Sequence, residues 1–334
     1  MFREAAEAAE VVARQERAAA GLERIGAALR SLSPRVVITC ARGSSDHAAT
    51  FAKYAIETRV GVPVASAAPS VASVYGASLR AEGAVCIVIS QSGRSPDLLA
   101  TVSGLKAAGA WVLALVNDTD SPICDLADEV FDLAAGPELS VAATKSFIGS
   151  LAAIARVVAA WAGDGELDRE LERLPAFLAK AWELDWSPLI PGLAAATDCY
   201  VLGRGMGFAI AQEAALKLKE TSQLHAEAFS TAELRHGPMA LVRGGFPALL
   251  FSQSDKTEGN VEDTAAALVG RGANVFVAGA EAAGAASLPT IRSGPLLQPI
   301  LQIQSFYRAA NALAVARGLD PDRPPHLAKV TETR

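Results

Sequence analysis

Two groups of residues in this chain could do chemistry. The first lies between Gln212 and Met239. There Glu213, Lys217 and Glu220 follow one another at helical spacings of four and three, which puts them near one face. Glu227 and Glu233 come next in a more irregular segment, and His236-Gly237-Pro238 ends it at a turn, because Gly and Pro break a helix. Carboxylates, a lysine and a histidine are the parts from which a proton shuttle is built. The alternative is a solvated helix face tied by salt bridges, with His236 a turn residue and His225 buried and satisfied.

The second group is Ser90-Gln91-Ser92-Gly93-Arg94-Ser95. It follows the apolar, β-branched run Val85 to Ile89, the signature of a strand buried on both faces of a parallel sheet. Pro96 suits the first turn of a helix, and Asp97 adds negative charge near its N-terminus. Hydroxyls and a glycine between a strand and a helix N-terminus make an anion site suited to a phosphate monoester. An ordinary serine-capped turn explains the same residues.

These groups need elements to hold them. With 334 residues, half of them hydrophobic, and a net charge of −6, the chain has room for two domains and lacks the basic balance of an electrostatic nucleic-acid binder. No apolar run approaches the roughly 18 residues that span a bilayer. The start, Met1-Phe2-Arg3-Glu4, has no apolar signal region, and Cys40, Cys86, Cys124 and Cys199 form no C-x-x-C pair, so reduced thiols in the cytoplasm are expected. No metal ligand spacing is present, and neither metal nor cofactor is expected.

Strands are expected at 35–40, 62–65, 85–89, 111–116 and 130–133, with helices between, one of them near 71–75 and a long one over 144–161. Two outer helices precede them in 1–32. The pattern then restarts. Cys199 to Leu202 leads to Gly203-Arg204-Gly205 as Val36 to Cys40 leads to Ala41-Arg42-Gly43, and Ala248 to Phe251 leads to Ser252-Gln253-Ser254-Asp255 as Cys86 to Ile89 leads to Ser90-Gln91-Ser92-Gly93. Arg42 and Ser90 are as far apart as Arg204 and Ser252, so the chain holds two copies of one α/β unit. In the second copy Asp255 replaces Gly93, which disfavours an anion and leaves one phosphate site, in the first half.

On these residues the chain resembles the sugar isomerase (SIS) domain family over about residues 30–334. The motifs are Ser90-Gln-Ser-Gly, Val141-Ala-Ala-Thr-Lys, Ala215-Leu-Lys-Leu-Lys-Glu, His225-Ala-Glu-Ala, His236-Gly-Pro and Leu327-Ala-Lys. Within the family it is similar to the glucosamine-6-phosphate deaminases and to the isomerase half of the glucosamine-6-phosphate synthases. Arg42-Gly-Ser-Ser-Asp-His-Ala and Ser90-Gln-Ser-Gly-Arg-Ser-Pro-Asp look closest to the deaminases.

The resemblance implies two tandem SIS units, each a flavodoxin-like αβα sandwich with a five-stranded, mainly parallel sheet. The expected divisions are N-terminal helices at 1–34, the first SIS domain at 35–165, a helical linker at 166–195, the second SIS domain at 196–320 and a tail at 321–334. It implies that Ser90, Gln91, Ser92 and Ser95, with Ser44 and Ser45, bind the sugar phosphate. Val141 and Ala143 would line the sugar, although the synthase pattern has Ser where Ala143 stands, so no hydroxyl is offered there. Glu220 would move the proton between C1 and C2, with Lys217 beside it. His236 would open the ring from the neighbouring subunit, making a homodimer with a shared site, and Lys329 would reach the sugar carbonyl.

Phe2 follows Met1 and a strand is expected as early as Arg35, so no glutamine-hydrolysing domain is expected. The expected reaction is therefore deaminating: glucosamine 6-phosphate and water to fructose 6-phosphate and ammonia. The same residues would run ammonia-dependent synthesis in reverse. A deglycase on a related amino-sugar phosphate and a non-catalytic sugar-phosphate sensor are the other readings.

Overall fold

The computed structural model describes residues 1–329. The chain forms two compact units. One comprises Glu10–Glu138, Lys145–Glu172, Ala328 and Lys329; the other comprises Met1–Ala9, Leu139–Thr144 and Arg173–Leu327.

The first unit holds strands β1 (Val37–Cys40), β2 (Val64–Ser66), β3 (Val85–Ser90), β4 (Trp111–Val116) and β5 (Glu129–Asp132), all parallel, in the order β2-β1-β3-β4-β5. All six residues of β3 are buried, as a strand covered by helices on both faces requires. One side packs Cys86, Val88, Val112 and Ala114 against Leu98, Val102 and Leu105 of the helix Pro96–Ala107. The helix Lys145–Ala162 packs on the helices Ala19–Leu32 and Ser44–Arg59.

The second unit repeats the plan with β6 (Asp198–Gly203), β7 (His225–Ser230), β8 (Pro247–Phe251), β9 (Asn274–Ala278) and β10 (Ala286–Leu288). Its order is β10-β9-β8-β6-β7, again all parallel and the same topology counted from its first strand. Tyr200, Leu202, Leu250 and Val277 pack there against Val261, Ala265 and Leu268 of the helix Glu258–Val269. The doubly wound parallel architecture is as the sequence indicated.

Four local expectations change. The segment after Gln223 is not irregular: His225–Ser230 is an edge strand, in which buried Ala226 sits between exposed His225 and Glu227, the period-two alternation that its charged residues obscure. His225 is accordingly exposed rather than buried. The N-terminal region forms three helices, Phe2–Ala6, Ala8–Gln15 and Ala19–Leu32, and Val11, Val12, Ile25 and Leu29 are fully buried rather than outside. The helix near Val71 is a single turn, Ser70–Ser73, with Val74 and Tyr75 exposed.

The helix Lys145–Ala162 is also long and apolar enough to cross a membrane, contrary to the expectation that no run came close. Nearly all of it is buried, which is how a core helix meets the same test.

All four cysteines are free. Burial pushes the Cys40 and Cys199 thiols up to about 12 and raises Cys86 as well, while Cys124 is half-buried. The thiolate is the reactive form. In the native protein at pH 8, a disulfide reagent is expected to titrate Cys124 at most, and all four thiols after denaturation. Rapid reaction of a second native thiol would contradict the burial.

Candidate functional site

In each sheet the strand order reverses between the first and third strands of its unit, at β1/β3 and at β6/β8. Ligands of open α/β sheets bind in the crevice that such a reversal leaves at the carboxyl ends of the strands. The turn Ser90–Ser95 leaves β3 there, and Gly43-Ser44-Ser45 leaves β1 beside it.

Ser44 and Ser45 are the first two residues of the helix Ser44–Arg59. Ser95 is the N-cap of the helix Pro96–Ala107, yet its side chain makes no capping hydrogen bond. The plain capping explanation therefore fails for Ser95. Ser90 Oγ accepts from the Gly93 N–H at 3.0 Å, and Ser92 Oγ accepts from the Arg94 N–H at 3.4 Å. A hydroxyl that accepts still has its own proton to donate. Gly93 is needed for two reasons: its φ is +61°, and a Cβ there would collide with the Ser121 side chain.

Positive charge at this turn is balanced locally. The Arg42 guanidinium grips the buried Asp97 carboxylate through Nε at 2.8 Å and Nη2 at 2.7 Å. Arg94 holds Asp118 at 2.8 Å, and hydrogen bonding from that guanidinium lowers the Asp118 pKa. The negative charge expected of Asp97 at its helix N-terminus is thus taken up by Arg42. Neither arginine pairing was evident in the sequence, since both partners lie more than twenty residues away.

The corresponding turn of the second unit is closed on itself. Buried Gln253 donates through Nε2 to Arg204 O at 2.9 Å, Thr257 Oγ1 at 2.8 Å and Asp255 Oδ2 at 3.1 Å. Asp255 Oδ1 accepts from Thr257 N at 2.7 Å and Thr257 Oγ1 at 2.6 Å. The side chains at this turn bond to one another where the first unit presents hydroxyls.

The second unit carries the ionic group. On the helix Met206–Ser222, Glu213 and Lys217 are wholly buried and Glu220 keeps 19% of its side chain exposed. Lys217 Nζ lies 3.4 Å from Glu213 Oε1 and hydrogen-bonds to Glu220 Oε2. The solvated-face reading fails for these three. Burial alone would pull the Lys217 ammonium down, but the two carboxylates outweigh it, and the pKa stands above its ordinary 10.5. The stability this pairing adds is therefore present through neutral pH and lost only as pH climbs beyond that value. Tyr307, from the helix Gln298–Ala316, donates its hydroxyl to Glu213 Oε1 at 3.1 Å. Nothing in the local sequence pattern separated Tyr307 from core aromatics.

Glu227, Glu233 and His236 stand exposed outside this buried group. His236 ends the 3-10 turn Glu233–His236, and Gly237 turns the chain with φ +146° before Pro238. In the first unit, Lys329 Nζ lies 3.4 Å from the buried Glu138 carboxylate, which also accepts from Ser146 N at 3.2 Å and Ser146 Oγ at 2.6 Å. Val141 and Ala143 are half-buried in the segment Leu139–Thr144, where Val141 N donates to Asp322 O at 3.4 Å.

Comparison with known proteins gives a consistent picture. The SIS domain model matches residues 33–160 and 192–279. The glutamine–fructose-6-phosphate aminotransferase (isomerizing) of Methanothermobacter thermautotrophicus is 36% identical over 86% of this chain and 50% of its own length, and that of Brucella abortus 33% over 92% and 53%. The chain spans about half the length of these curated relatives. A crystal structure from Silicibacter pomeroyi DSS-3, provisionally described as a phosphosugar isomerase, superposes with a TM-score of 0.93 at 44% identity, covering 96% of this chain and 99% of that one. The C-terminal domain of glucosamine-fructose-6-phosphate aminotransferase from Francisella tularensis does so at 0.87 and 25% identity, covering 97% and 98%.

The buried triad can be tested by stability alone. Lys217→Met leaves Glu213 in the core without its cation, and removing one partner of a buried pair costs about 3–5 kcal/mol. Urea unfolding at pH 8 is expected to show that loss, and a smaller one at pH 5, where Glu213 can take a proton. A change under about 1 kcal/mol at both pH values would mean that the charges are not coupled.

Proposed function

The chain belongs to the SIS domain family, and from that premise we propose that it is an isomerase acting between C1 and C2 of an amino-sugar 6-phosphate, with Glu220 as the base. The observation that carries this reading is the Glu220 carboxylate, partly exposed and held from beneath by the fully buried Lys217 ammonium. Glu213 shares that ammonium, so its charge does not fall on Glu220 alone. A carboxylate fixed in this way, yet open to solvent, is placed to accept and return a proton.

In this reading the hydroxyls of Ser44, Ser45, Ser90, Ser92 and Ser95, with Gln91, hold the phosphate. They do so as donors at two helix N-termini, with the nearby guanidinium charges already paired. Val141 and Ala143 line the sugar, and Lys329 meets its carbonyl. Exposed His236 opens the ring of a substrate held by a second copy of the chain.

The aminating direction is the better-supported one. Relatives at 32–36% identity are named isomerizing aminotransferases, whereas the likeness to glucosamine-6-phosphate deaminase from Thermotoga maritima, at 22% identity and a TM-score of 0.74, is one of fold. This replaces the deaminating direction expected from the sequence. Ammonia condenses with the C2 ketone of fructose 6-phosphate and water leaves. Glu220 takes a proton from C1 of the protonated imine, giving an enaminol, and returns it to C2. The C1 hydroxyl then loses its proton, leaving an aldehyde beside an amine, which is glucosamine 6-phosphate. Microscopic reversibility lets the same groups run the deamination.

Incubation with fructose 6-phosphate and an ammonium salt is expected to form glucosamine 6-phosphate. Glu220→Gln is expected to lower kcat by about 10²–10⁴-fold with little change in KM. No turnover in either direction, or full turnover by the variant, would overturn the assignment. The shared site has its own test. Glu220→Gln and His236→Ala chains, each inactive alone, should regain turnover when mixed and allowed to exchange subunits. A mixture as inactive as its parts would mean that His236 serves its own chain.

A further inference from the structure

The group around Lys217 has a fourth member outside its helix. Tyr307 is wholly buried, and its hydroxyl reaches Glu213 Oε1 at 3.1 Å. That same oxygen faces Lys217 Nζ at 3.4 Å, and Lys217 in turn holds Glu220. The result is an unbroken line, Tyr307 to Glu213 to Lys217 to Glu220, with every member but the last fully buried.

We propose that Tyr307 is a positioning residue for the C1–C2 proton transfer: its hydroxyl keeps Glu213 ionised, and Glu213 keeps part of the Lys217 charge away from Glu220. The proposal rests on Glu220 being the base. Its physical ground is the charge count. One ammonium between two carboxylates leaves a net negative charge, which makes Glu220 the better proton acceptor. If Glu213 takes a proton, the whole ammonium charge falls on Glu220, which then holds a proton less readily. A buried carboxylate stays ionised only where donors meet it, and Tyr307 is such a donor from the facing helix.

Of the elements packed on the helix Met206–Ser222, the facing helix Gln298–Ala316 also carries Arg308, which donates to Trp182 O at 2.8 Å and pairs with Glu183 at 3.2 Å. β7 brings His225 and Glu227, both exposed. β6 brings half-exposed Asp198, Cys199, which burial holds protonated, and Tyr200, whose hydroxyl donates to Pro238 O at 2.9 Å. β8 brings no titratable side chain.

Tyr307→Phe keeps the ring and removes the donor. In the assay above it is expected to lower kcat about tenfold, leave KM for the sugar phosphate within about twofold, and move the acid limb of the kcat profile to lower pH, because Glu220 then holds its proton less readily. An infrared titration of the protonated carboxyl band reads Glu213 without any substrate. The band should appear at higher pH in Tyr307→Phe than in the parent, and that component should vanish when Glu213→Gln is added. A variant with a lower melting temperature but an unmoved acid limb and an unmoved band would assign Tyr307 to packing alone and overturn the proposal. If the parent protein shows no turnover, the reading of Glu220 as base fails, while the infrared comparison still decides whether Tyr307 holds Glu213 ionised.

Discussion

A parallel sheet covered by helices on both faces has almost nowhere to put a polar side chain except at its strand ends. That constraint governs both units of this protein. In the first unit β3 is buried along its whole length, and its last residue, Ser90, begins the hydroxyl-bearing turn. The order β2-β1-β3-β4-β5 makes β1 and β3 neighbours whose following helices leave on opposite faces. The gap between those helix starts is where backbone N–H groups and side-chain hydroxyls can face a ligand together.

The same sheet order, used twice, serves two different ends. In the first unit the turn stays open because Gly93 takes a left-handed conformation against Ser121, and because Ser95 does not spend its hydroxyl as a cap. In the second, Gln253, Asp255 and Thr257 bond to one another at the equivalent place. A turn that carries a carboxylate, with amide and hydroxyl donors drawn toward it, disfavours an anion. Duplication supplied the scaffold twice, and a few side chains decided which copy presents a site.

Charge in the second unit follows a stricter rule. Lys217 is fully buried, and a lone ammonium there would lose its proton or unfold its surroundings. Glu213 and Glu220 compensate it, and Tyr307 bonds to the deeper carboxylate from a helix almost a hundred residues on. Edge strand β7 packs on the same helix and leaves Glu220 part of its solvent exposure at the helix end. The energetic consequence is a group whose members cannot be removed singly without stranding another.

Much was legible before any coordinates. The β-branched runs marked strands, because a parallel strand buried on both faces has little else it can be, and the spacing of Arg42 to Ser90 against Arg204 to Ser252 exposed the duplication. The helical spacing of Glu213, Lys217 and Glu220 placed them on one face. Local sequence could not say whether that face met water or the core, since burial depends on what packs against it. It also read the edge strand His225–Ser230 as irregular, because a half-exposed strand carries charge on its open face. Arg42 with Asp97, Lys329 with Glu138 and Tyr307 with Glu213 all join residues far apart in the chain, and such pairs exist only once the sheets are wound. Residue types and periods alone determined the α/β class, the repeat and the candidate groups. Tertiary structure decided which charges are buried and which distant residues pair, because both depend on neighbours that the chain brings together only by folding.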